Sequence, residues 1–106
     1  MIRLTAEPTL IPTSQGGKSR PIIGGGKYRP QFSVDSPEIS TSFFVDVIQD
    51  RAALAPGETA IVEGQLLRPE LFQGRLIPGA RFEIREGKSI VGRGVLRSVV
   101  VLPTQN

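Results

Sequence analysis

The sequence predicts an all-β fold, a barrel or sandwich of about six strands, with residues 1–106 forming one domain. Two observations carry this. Six short runs rich in β-branched and aromatic residues are separated by turn signals at intervals of about ten residues, the spacing of barrels and sandwiches. The 12 glycines and 9 prolines are spread so evenly that the longest stretch free of both is Glu38 to Ala55. The first half of that stretch, Ile39-Ser40-Thr41-Ser42-Phe43-Phe44-Val45, favours strand. Only Val47 to Ala55 has room for a turn or two of helix. Closing such a sheet into a barrel removes its exposed strand edges.

Each strand has a local reason. Leu4 to Ile11 alternates Leu4, Ala6 and Pro8 with Thr5, Glu7 and Thr9, and Pro8 and Pro12 place it at a rim. Residues 13–30 form a long loop, a length that in a compact domain usually serves function or motion. Gln31 to Asp35 is the second strand, closed by the turn Asp35-Ser36-Pro37. Ile39 to Val47 is the third. Ala55-Pro56-Gly57-Glu58 is a turn, because proline pre-sets its own φ and glycine accepts a positive one. Thr59 to Leu67 is the fourth strand, and residues 68–80 are a connection containing Pro69, Gly74, Pro78 and Gly79. Ala80 to Arg85 is the fifth, with Phe82 and Ile84 on one face and Arg81, Glu83 and Arg85 on the other. Glu86-Gly87-Lys88 turns the chain into a final strand, Ile90 to Leu102, bent near Gly92-Arg93-Gly94. Phe82, Ile84, Val95, Val99 and Val101 read as core.

Composition excludes several chemistries. The chain has no cysteine and no histidine. Disulfides, Cys/His metal sites, thiol catalysis and a Ser-His relay are therefore absent. The start, Met1-Ile2-Arg3-Leu4-Thr5-Ala6-Glu7-Pro8, lacks the apolar core of a signal peptide, and no apolar run approaches membrane-spanning length. The expected location is the cytoplasm, with no membrane partner. A phosphate-binding loop needs glycine, four residues, then Gly-Lys-Ser/Thr. Gly26-Lys27 is followed by Tyr28 and preceded at the required place by Pro21. Gly87-Lys88-Ser89 has Phe82 there. No bound nucleotide, cofactor or metal is expected. The nearest carboxylate pair, Glu83 and Glu86, reads as part of an ion-pair ladder with Arg81 and Arg85 rather than as acid and base. The chain is not expected to be an enzyme.

Charge is segregated along the sequence. Residues 1–34 hold five basic side chains against one acidic, residues 35–70 two against seven, and residues 71–106 six against two. If the two basic segments lie side by side, the barrel has a basic and an acidic face, and a basic face fits an anionic partner such as RNA.

The two basic segments also carry a resemblance. Gly16-Gly17-Lys18-Ser19-Arg20-Pro21 precedes Tyr28-Arg29-Pro30-Gln31-Phe32. Much later come Arg81-Phe82-Glu83-Ile84-Arg85-Glu86-Gly87 and Val91-Gly92-Arg93-Gly94-Val95. In order and type these resemble the C-terminal β-barrel, domain 3, of the translation elongation factor Tu family. There the pattern runs Gly-Gly-Arg, Gly-Tyr-Arg-Pro-Gln-Phe, Arg-Phe-Ala-Ile-Arg-Glu-Gly and Val-Gly-Ala-Gly-Val. The resemblance covers nearly the whole chain and omits the family's GTPase domain. Ser36-Pro37-Glu38-Ile39-Ser40 replaces the family's Thr-Asp-Val-Thr-Gly. Ile22-Ile23 replaces Phe-Phe. The loop between Gly17 and Tyr28 is about two residues longer than the family's spacing.

The resemblance implies a six-stranded antiparallel closed β-barrel and a binding role. The family domain helps grip the T-stem of aminoacyl-tRNA through backbone and sugar contacts. By that resemblance, Gln31 would hydrogen-bond a ribose and Glu86 would accept from a ribose or base edge. Gly87 would let the RNA approach closely, and Lys18 would pair with a phosphate. Ser40 approximates a threonine hydroxyl of the family. The expected partner is tRNA or another RNA, or a translation factor. The alternative is a protein–protein adaptor that kept the fold and lost RNA contact, marked by an exposed apolar patch of Phe43, Phe44, Leu71 and Phe72. A purely architectural reading also stands, in which Tyr28, Arg29 and Pro30 lock the long loop to the barrel and Arg29 and Arg85 form buried ion pairs.

Overall fold

The computed structural model describes residues 2–101. The strands are β1 (Ile2–Leu10), β2 (Ile22–Ile23), β3 (Gln31–Val34), β4 (Ser40–Ile48), β5 (Ala53–Leu54), β6 (Val62–Leu66), β7 (Arg81–Glu86) and β8 (Ser89–Val101). Six of them close into an antiparallel barrel in the order β1-β6-β4-β3-β7-β8, with β8 returning to β1. The predicted all-β barrel is therefore the observed fold. The predicted strand boundaries shift by a few residues, and Leu102 lies outside the described residues. Strands β3, β7, β8 and β1, all from the two basic segments, are neighbours, while β4 and β6 from the acidic segment close the other side.

Alternation fills the barrel. Leu4, Ala6 and Leu10 of β1 point inward, as do Phe43 and Val45 of β4 and Phe82 and Ile84 of β7. Phe32 of β3, fully buried, is the hub, its ring centroid lying 5.6 Å from Phe43, 5.8 Å from Phe72 and 5.1 Å from Phe82. Phe72 reaches the core from a 3-10 turn, Pro69–Phe72, in the connection before β7. Each such ring contributes about 1.5–3 kcal/mol by leaving water.

Three bulges bend the sheet closed. Asp46 in β4, Val91 in β8 and Arg97 in β8 each stand as an extra residue against the neighbouring strand. A bulge shifts which side chains face inward. Two predicted core residues are corrected. Val95 pairs with outward-facing Glu7 and is 37% exposed, because the Arg97 bulge puts Leu96, not Val95, on the inward face; Val101 keeps the parity of Val99 but lies at the open end of β8 and is 72% exposed. β8 contributes Val91 and Leu96 to the core. The expected apolar patch is likewise corrected: Phe43 and Phe72 are buried, and only Leu71 of that group is an exposed large apolar side chain.

The long loop is not structureless. Ile22–Ile23 pairs antiparallel with Ala53–Leu54, placing buried Ile22 and Leu54 as a lid over one end of the barrel. The helical turn allowed for Val47 to Ala55 does not form. β4 runs on to Ile48, and Asp50 takes a positive φ of 62° that turns the chain into β5. This loop end gathers residues 11–30, the link from β4 to β6 and the β7–β8 turn. The opposite end carries the link from β3 to β4, residues 67–80, the start of β1 and the finish of β8.

Candidate functional site

The outward face of β4, β3, β7 and β8 is polar, and register dictates its layout. Gln31 lies opposite Ser42 on one side and Arg85 on the other, while Ser33 lies between Ser40 and Glu83. Side chains facing the same way on paired residues touch. The Ser40 hydroxyl donates to Gln31 Oε1 at 3.1 Å, and Gln31 Nε2 donates to Ser42 Oγ at 3.4 Å. Arg85 donates from Nη1 to Ser33 Oγ at 3.2 Å and from Nη2 to Glu83 Oε1 at 2.6 Å. Glu83 also accepts from Arg93 at 3.1 Å. Arg85 thus forms an ion pair, but a partly exposed one within β7 rather than the buried one the architectural reading expects. Arg29 forms none, and lies instead 5.0 Å over the Phe44 ring.

At the loop end a second cluster ties three distant segments together. The Tyr28 hydroxyl donates to Glu86 Oε2 at 2.5 Å. Lys18 Nζ sits 3.7 Å from the same oxygen, 5.2 Å from the Tyr28 ring centroid, and donates to the Arg20 carbonyl at 2.6 Å. Burial, then the bond to Glu86 and its charge, push the Tyr28 phenol well above its ordinary range. The loop itself is held by backbone: the amides of Gly25 and Gly26 donate to the carbonyls of Asp46 and Val45. Asp46 is the bulged residue of β4, and its carboxylate also accepts from Arg3 at 2.9 Å.

The five residues singled out by sequence fall into these two clusters. Gln31 and Ser40 are bonded to each other, and Lys18 and Glu86 are paired through Tyr28. Gln31 pairs in register with Arg85, the residue before Glu86, so the clusters adjoin. Gly87 follows Glu86 in the two-residue β7–β8 turn at φ 61°, with nothing within 4 Å of the place a side chain would occupy. Lys18 differs from expectation in one respect. Its side chain is only 11% exposed and its ammonium is occupied by internal partners.

The cations open to solvent here are ones the sequence reading did not name as RNA contacts. Among the described residues, Arg20, Lys27, Arg29 and Lys88 form no salt bridge. All four are exposed, and each lies within two residues of Lys18, Tyr28 or Glu86. The contact among those three brings Arg20, Lys27, Arg29 and Lys88 to one end. Their sequence signal was position: Arg20 and Arg29 lie inside the matched motifs, and Lys27 and Lys88 lie beside them. A separate open hollow of about 550 Å³ lies between β8 and the β3–β4 turn, lined among others by Asp35, Arg81, Glu83 and Arg93. Its charges are mixed, and none of the five predicted residues lines it.

Among the described residues, no group of three or more acidic side chains is placed to hold a metal ion, and no helix is long and apolar enough to cross a membrane. Fold and site together define a small closed β-barrel with a hydrogen-bonded polar face and a loop end carrying unpaired cations. No protein-family model matches the chain.

Proposed function

We propose that this protein is a non-catalytic binding module of the translation-elongation-factor kind, similar to domain 3 of elongation factor Tu. In this reading it works in the cytoplasm and contacts the backbone of tRNA, or of another structured RNA, through its loop end. The observation that carries the reading is the grouping of Arg20, Lys27, Arg29 and Lys88, all without salt bridges among the described residues, around the Lys18–Tyr28–Glu86 contact. Unpaired cations around a fixed donor and acceptor set suit a phosphate–ribose backbone, where charge gives affinity and hydrogen bonds give register.

Roles follow from the geometry. The four cations meet phosphates. Glu86 uses Oε2 internally and keeps Oε1 for a ribose 2′-hydroxyl. Gly87, with open space around its α-carbon, lets the strand approach the backbone. Gln31, held by Ser40 and Ser42, offers a fixed amide at the border of the two clusters. Lys18 acts as a positioning residue that holds the loop. A translation-factor or other protein partner is the second reading. It is favoured by Ile23 and Val47, 61% and 43% exposed beside the same loop.

The test is fluorescence anisotropy of labelled tRNA across a salt series. RNA contact gives affinity that falls linearly with log salt, with a slope of roughly 0.7–0.9 per phosphate contact. Lys27→Glu with Lys88→Glu abolishes the interaction. No binding at low salt and tens of micromolar protein overturns the RNA reading and leaves the adaptor reading, for which Ile23→Asp with Val47→Asp is the matching probe.

A further inference from the structure

The barrel is closed, yet one stretch of it has a free edge. β7 begins at Arg81, opposite Val95 of β8, and the last backbone bonds on that side join Leu96 to Gly79 and Ala80. β8 continues for five more residues, Arg97 to Val101, paired only with β1 through Thr5↔Ser98, Leu4↔Val99, Arg3↔Val100 and Ile2↔Val101. Among the described residues no other backbone group bonds to this stretch. Val100 and Val101 are 48% and 72% exposed.

Alternation shows which groups face outward. Leu96 directs its N–H and C=O toward the β7 side, and Pro8 directs its carbonyl toward β6 through Ala60. Ala6, in step with Pro8, also faces β6, so Thr5 faces β8. With Arg97 as the bulged extra residue, Ser98 and Val100 bond to β1. Val99 and Val101 present their N–H and C=O groups to the free edge. Such an edge is a template for another strand.

We propose that this edge pairs antiparallel with the same edge of a second copy of the chain, centred on Val99. The choice of occupant rests on self-complementarity. With Val99 opposite the partner's Val99, the two residues exchange N–H and C=O bonds, and Arg97 falls opposite the partner's Val101. Because the Ser98 N–H points to β1, the Arg97 carbonyl in the same peptide points to the free edge and can accept from the partner's Val101 N–H. The two Arg97 charges do not oppose each other, and each is already neutralised by Glu7 at 2.6 Å. Ser98 and Val100 face each other across the pair. Because β8 offers a single free edge, the two-fold contact closes at a dimer rather than growing into a filament. Five residues per copy is a small contact, so the dimer is weak and concentration-dependent.

Sedimentation equilibrium up to millimolar protein, with amide exchange read at low and high concentration, tests this. The expected result is a monomer–dimer equilibrium in which the Val99 and Val101 amides gain protection as protein is added. Val101→Pro removes one edge donor without touching a bond to β1, and Val101→Lys adds a charge to the edge. Both should leave the melting transition unchanged and weaken dimerisation at least tenfold. A strictly monomeric wild type overturns the proposal. So does a dimer indifferent to both variants, or one that protects Ile23 and Val47 instead.

Discussion

The Tyr28 hydroxyl and the Glu86 carboxylate, 58 residues apart in sequence, meet at 2.5 Å at the loop end of the barrel. One belongs to the long loop and the other to the β7–β8 hairpin, so the bond fixes two otherwise separate segments. Tyr28→Phe keeps the ring and removes only the donor. It is expected to cost about 1 kcal/mol in urea unfolding. Amide exchange at Gly25 and Gly26 should quicken while the strand amides stay protected.

The same contact sets a pH dependence. The Tyr28 phenol is raised in the folded state by burial and by Glu86. A raised folded value means the folded form holds the proton more tightly than the unfolded chain. Its contribution is complete below the ordinary tyrosine value of about 10 and declines as pH rises past it. Ultraviolet titration of this single tyrosine should show no phenolate near its ordinary pH. Phenolate absorbance should rise together with loss of structure, and the Tyr28→Phe variant should lose less stability over the same range.

Phe32 is the hub of the ring cluster and is fully buried. Phe32→Ala should cost about 3–5 kcal/mol. That is a large part of the roughly 5–15 kcal/mol that holds a domain of this size. Chemical denaturation should show a much lower midpoint or an unfolded chain at room temperature.

Two glycines should respond oppositely. A side chain at Gly64 would come within 2.0 Å of the Phe44 carbonyl oxygen, a backbone atom that cannot give way. Gly64→Ala is therefore strongly destabilising, by roughly 1–3 kcal/mol or more. At Gly87 the space is open and the φ of 61° suits asparagine. Gly87→Asn should leave the melting temperature nearly unchanged while weakening RNA binding by crowding the turn.

The strands were legible in the sequence because alternation and turn residues are local signals, as in Phe82 and Ile84 between Arg81 and Arg85. The β2–β5 pairing was not, because Ile22-Ile23 is too short to signal a strand and its partner lies across the fold. The exposure of Val95 was hidden for a related reason: the bulge at Arg97 shifts the inward face, and a bulge is set by the neighbouring strand. Val101 is exposed because it lies at the end of β8, a position fixed by where the partner strands stop. For the site, the matched motifs led to Gln31, Glu86 and Gly87, and Ser40 came from a segment that departs from the family pattern; the four adjoin in space. That Lys18 would be occupied internally, leaving Arg20, Lys27, Arg29 and Lys88 open, depends on the Tyr28–Glu86 contact and leaves no trace in local sequence.

The most direct measurement is heteronuclear NMR of the labelled protein titrated with bulk tRNA at low and moderate salt. The account predicts shifts confined to the loop end, at Arg20, Lys27, Arg29, Gln31, Glu86, Gly87 and Lys88, that shrink as salt is raised. An unchanged spectrum, or shifts centred on the opposite end around Leu71 and Ile77, would contradict it.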